Sequence, residues 1–175
     1  MDFKFFESLS MSDARAFLAN FLSVESKAMG EMFDQAKAEG VELAFSTSSI
    51  KPMFTWVLRS IKSNPKAPDL TLPEWITGTE SYKRGLFVFD EPSKILVLRA
   101  AYFVGASFIS EYPHLKWDTG DCETALMNMP VIKGFRMDLE LPAILVAENA
   151  ISRIHAQNHP LETIDTMVKS WIGHI

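Results

Sequence analysis

Two histidines four residues apart, in His155-Ala156-Gln157-Asn158-His159, are the most obvious candidates for chemistry in this chain. At that spacing on a helix two imidazoles share a face and can hold a zinc ion. The zinc-protease motif needs a glutamate directly after the first histidine, and here that position is Ala156. Pro160 also puts His159 at a helix end, where the helix dipole favours a histidine without any metal. Capping or a surface position is therefore the competing role for His155 and His159. A second candidate is the acidic run Asp118-Thr119-Gly120-Asp121-Cys122-Glu123. Carboxylates around a glycine suit a hard cation, but the EF-hand spacing is missing, which leaves a solvated turn. Cys122 stands among carboxylates that disfavour a nucleophilic thiolate.

Arg99 is the most informative single residue. It interrupts an otherwise apolar run of 15 residues from Ile95 to Ile109. A guanidinium in such a helix needs a partner, and Glu148, on the apolar helix expected after Pro142, is the acid the sequence suggests. Arg99 then either closes a structural ion pair or snorkels to the surface. The alternative is a ligand-facing arginine in a cleft with Tyr102, Trp117 and Lys133. A further cluster, Lys51, Arg59, Lys62 and Lys66, has no acid between its ends. It reads as a solvated helix face or as a patch for an acidic partner or a phosphate. No dinucleotide fingerprint, P-loop, nucleophile elbow or paired CxxC is present.

The elements that must position these residues are mostly helical. Ser10-Met11-Ser12-Asp13 is a capping-box pattern. Behind it Phe17, Phe21, Ala28, Met32 and Ala36 recur at helical spacing, predicting one long amphipathic helix that stops at Gly40. Val41 to Phe45 is a short strand or a link. Ser46 to Ser49 offer N-caps for a helix carrying Met53, Phe54, Val57, Leu58 and Ile61. Prolines 65, 68 and 73 predict a surface loop or hinge over 64–73, pinned by a turn at Trp75. Leu86 to Phe89 is a candidate strand, and Asp90-Glu91-Pro92-Ser93 opens the central apolar helix, about 93–111. Leu115 to Phe135 contains three short extended segments that predict a small antiparallel sheet. Helices after Pro142 and Pro160 complete the chain, the last with Ile164, Met167, Val168, Trp171 and Ile172 inward. The expectation is a helix-dominant α+β fold, five to six helices around the central one, in a single domain over 1–175.

Composition bounds the function classes. The 175 residues are 47% hydrophobic with a net charge of −5, enough apolar content for one sizeable core and too little positive charge for bulk nucleic-acid binding. One cysteine excludes an intrachain disulfide. The apolar run is shorter than the roughly 20 residues of a membrane span and already carries Arg99. The N-terminal residues carry charge among their aromatics and lack a signal-peptide core, so the expected location is the cytoplasm, with no membrane and no cofactor involved. Met127, Met129 and Met137 cluster where the chain turns, predicting a deformable contact surface.

From Tyr102 onward the chain reads Tyr102…Gly105…Phe108, Pro113…Leu115…Trp117…Gly120, then Asn128…Pro130…Gly134-Phe135. This resembles a pattern in small uncharacterised bacterial domains, some from gene clusters that look like toxin–immunity systems. The residue after the helix glycine is Ala106 where that pattern usually carries an acid, and the pattern assigns no catalytic residues. The resemblance implies a non-enzymatic protein-binding role of immunity or accessory type. The alternative expectation is a small enzyme or ligand-binding domain with its cleft around Arg99, Tyr102, Trp117 and Lys133.

Overall fold

The apolar run from Ile95 folds as a helix, and the other described elements are arranged around it. The computed structural model describes residues 3–67, 83, 85 and 87–175. In chain order they form α1 (Phe3–Glu7), α2 (Met11–Ser23), α3 (Glu25–Ala38), α4 (Ile50–Ser60) and β1 (Ser63–Pro65). Then come β2 (Phe87–Phe89), α5 (Glu91–Glu111), β3 (Lys116–Thr119), β4 (Pro130–Lys133), α6 (Ala143–Gln157) and α7 (Thr163–Ile172). The fold is helix-dominant α+β, as the sequence predicts. Part of the 64–73 loop and the turn at Trp75 lie outside the described residues.

The start signals act through identifiable hydrogen bonds. Asp13 N–H donates to Ser10 Oγ at 3.2 Å, capping α2, and Ser93 N–H donates to Asp90 Oδ1 at 2.9 Å, capping α5. Gly40 leaves α3 with φ of +74°, a conformation glycine adopts without strain. The long helix predicted behind Ser10 is two helices, broken at Val24 (φ −99°, ψ −7°). Ser23 Oγ donates to the Asn20 carbonyl at 2.7 Å, a local bond that competes with helix continuation. The break lets α2 approach β3 while α3 lies on α5.

Two sheets of two strands each are present among the described residues, both antiparallel. In one, Ser63 faces Phe89 and Pro65 faces Phe87, so the expected loop begins as a strand. Pro65 ends that strand, where its missing donor disturbs little. In the other, Lys116 faces Lys133 and Thr119 faces Pro130. The third extended segment, Ala125 to Met127, is a turn instead, closed by Met127 N–H to the Thr124 carbonyl at 3.2 Å. Val41 to Phe45 is a link without strand pairing.

Ten residues of α5, among them Tyr102, Phe103, Val104 and Phe108, are buried, each large one worth about 1.5–3 kcal/mol of burial. One core runs from Phe21 through α3, α4, α5 and α6 to Val168. α5 is long and apolar enough to cross a membrane, but about half of it is buried inside this protein, an arrangement compatible with a soluble protein. A satellite cluster of Phe6, Met129 and Val131 holds α1, helped by Asn128 Nδ2, which donates to the carbonyls of Phe6 (3.1 Å) and Leu9 (2.9 Å). The three methionines therefore do not form one contact surface: Met129 is 1% exposed in that cluster, whereas Met137 is 83% exposed.

Candidate functional site

The four residues expected to line one cleft are built into three separate places. Arg99 leaves α5 toward α3, where its guanidinium donates to Glu31 and, at 3.0 Å, to Gln35 Oε1. Its side chain is 11% exposed, and its Nε is buried without a hydrogen-bond partner. The acid that meets Arg99 is thus Glu31, not Glu148, because α3 crosses the face of α5 from which Arg99 projects. Three residues on, Tyr102 is buried against the Phe21 ring (centroids 4.5 Å apart) and donates its hydroxyl to the Phe21 carbonyl at 2.6 Å. Burial, and then the carboxylate of Glu25, push the Tyr102 hydroxyl up to about 12.

Trp117 reaches the same helix from β3. Its six-membered ring lies so close to Gly105 that a Cβ there would overlap it. Its buried indole N–H forms no hydrogen bond of ordinary geometry. Desolvation raises the carboxyl of half-buried Glu25 above the usual range, and the neighbouring indole N–H opposes that rise. Lys133 belongs to a different site, on β4. It is bound by Asp121 at 2.5 Å and by Glu140 at 3.2 Å. Burial works against its charge, but these two carboxylates outweigh it and hold the ammonium above its ordinary value. Lys133 in turn holds Asp121 below the usual carboxylate range.

Glu140 is the residue that sequence reasoning missed in this network. Its side chain is 3% exposed, and it also accepts from the Asp121 N–H (2.9 Å) and Thr124 Oγ1 (3.1 Å). Every one of these bonds fixes the 120–129 turn. An acid between Leu139 and Leu141-Pro142 was the available signal, and Glu140 is buried there although it lies outside any helix or strand. The acidic run therefore serves this turn: Asp121 is engaged by Lys133, and Asp118 Oδ1 accepts from Thr119 N–H at 2.8 Å. Cys122 is exposed.

The histidines separate as well. His155 stays on α6, with Nε2 at 3.0 Å from Ser63 Oγ and its ring packed on Phe87 and Phe89. Asn158 then turns left-handed (φ 53°), so His159 leaves the helix and is exposed. No group of three metal-ligating side chains occurs among the described residues. Ser63 and His155 have the separation of a nucleophile and its base. Among the described residues, though, no acid bonds the other ring nitrogen, and the pair joins β1 to α6.

A different part of the surface is open. Between β2, the first turns of α5 and the middle of α6 lies a groove of about 580 Å³. Phe87, Val88, Leu98 and Ile144 form apolar walls, and Lys66, Lys94 and Glu148 supply charge. Val88 is 45% exposed and Ile95, next to Lys94, 52%. The groove exists because α5 is enclosed only from Ala100 onward, while its first three turns are covered on one side. Lys66 belongs to the basic stretch noticed in the sequence. That stretch divides: Lys51 is bound by Asp165 at 2.5 Å, whereas Arg59, Lys62 and Lys66 remain exposed. No protein-family model, no curated protein and no solved structure matches this chain.

Proposed function

We propose that this chain is a non-enzymatic protein-binding domain, of immunity or accessory type, working in a bacterial cytoplasm. The observation that carries the reading is the groove between β2, α5 and α6, where exposed Val88 and half-buried Leu98 leave apolar surface open to solvent over a floor that includes buried Ile144. Exposed apolar patches rimmed by polar groups are characteristic of surfaces that meet a partner. The alternative cleft loses its support, because Arg99, Tyr102 and Lys133 are each engaged by the protein's own groups. The resemblance of the Tyr102 to Phe135 segment to domains from toxin–immunity-type clusters favours the immunity or accessory role.

The test uses a photo-crosslinking residue at position 88, in the groove, and at position 24, where Val24 is equally exposed elsewhere. The expected result in the native cells is one protein crosslinked from position 88 only. Mixed with the purified chain, that protein should form a stoichiometric complex on sizing, lost in Val88→Asp and kept in Val24→Asp. A complex indifferent to Val88→Asp, or equal crosslinking from both positions, overturns the reading.

A further inference from the structure

Resting on that protein-binding reading, we infer that the groove takes an acidic amphipathic segment of its partner: apolar side chains that enter the groove, flanked by carboxylates that meet Lys66 and Lys94. The charges around the groove are unequal in availability. Glu148 is already engaged within the chain. Lys66 is exposed and forms no ion pair among the described residues. Lys94 does pair with Glu91 at 2.6 Å, but both side chains are more than half exposed, so water screens the pair and a new carboxylate can compete for the ammonium.

The surroundings add to this. Asp90 is the nearest acid in sequence to Lys94 besides Glu91, and its carboxylate is engaged in capping α5. Outside the groove, exposed Arg59 and Lys62 stand between the end of α4 and β1, Lys62 within electrostatic reach of Asp90. No acid interrupts the chain between Lys51 and Lys66 although the whole protein carries −5. A cationic edge on an anionic protein steers an acidic segment to this face, while the net negative charge of the rest of the protein repels the body of other anionic proteins. The apolar walls supply contact area, and the lysines select among segments that have the right apolar spacing.

Two fluorescein-labelled peptides test this: leucines flanked by glutamates, and the same leucines flanked by lysines. Fluorescence anisotropy should show the acidic peptide binding roughly tenfold more tightly, the scale of two exposed ion pairs. The preference should shrink with added salt and disappear in Lys66→Glu/Lys94→Glu, whose fold is checked by circular dichroism. Equal binding of both peptides that is abolished by Val88→Asp would sink the acidic preference and leave the groove as a docking site. Binding of neither peptide, or binding unaffected by Val88→Asp, would overturn both statements.

Discussion

The two halves of α5 have similar apolar sequences and opposite fates. From Ala100 to Phe108 nearly every side chain is buried, and the Tyr102 hydroxyl there is bound inside the molecule by the Phe21 carbonyl. Over the first turns Ile95 is half-exposed, and Leu98 forms a groove wall. The groups with the most chemical character, Arg99 and Tyr102, are thus engaged within the fold, and ordinary aliphatic residues such as Ile95 are left on the surface. Reactivity of a side chain and its availability are separate properties, and here they run in opposite directions along one helix.

Substitutions at the two ends should accordingly separate stability from binding. Gly105→Ala forces a methyl into the Trp117 ring and should cost about 3 kcal/mol, read as a fall in Tm, with peptide binding by the folded fraction unchanged. Glu140→Ala removes the acceptor of Lys133, the Asp121 N–H and Thr124, and about 2 kcal/mol by denaturant titration is the expected loss. Tyr102→Phe leaves the Phe21 carbonyl without its donor, for a loss of about 1 kcal/mol at neutral pH.

The same tyrosine supplies a pH signature. Its folded value of about 12 lies above the ordinary 10, so between these the unfolded chain ionises while the folded chain keeps its proton. Its contribution is full below pH 10 and is lost as pH rises to 12. Tm measured across that window should fall less steeply in Tyr102→Phe, and an unchanged slope would show that Tyr102 is not sealed as described. Smallest of all, Val88→Asp in the groove should change stability by no more than about 0.5 kcal/mol while removing binding. A large loss of Tm there would erase the distinction between the two halves.

Much of this was legible in the residues, for local reasons. Ser10 caps the helix it was expected to cap, and Asp90, expected as part of an acidic start signal, caps α5, because an N-cap depends on neighbours within three residues. The break at Val24 was invisible, since Phe17, Phe21, Ala28 and Met32 keep helical spacing straight across it. Arg99 announced its need for an acid but not which one: Glu31 and Glu148 both lie on amphipathic helices, and periodicity does not say which helix packs on which face. The groove was harder still. Lys66 stood out as the end of a cationic stretch with no acid back to Lys51, yet its place beside Val88 depends on pairing 63–65 with 87–89, and the spacing within either segment does not encode that match.

The amide of Asn128 closes the Phe6 and Leu9 carbonyls across 122 and 119 residues of chain. Such a contact carries a large loop-closure cost and forms only once the β3–β4 turn has ordered around it. The contacts of α1 with this turn are therefore among the last to form, although α1 precedes the other described helices in the chain. During synthesis Phe6 has the Phe17 ring of α2 as a neighbour but lacks Met129 and Val131 until the β3–β4 turn has been made, so α1 stays open to chaperones and proteases over that interval.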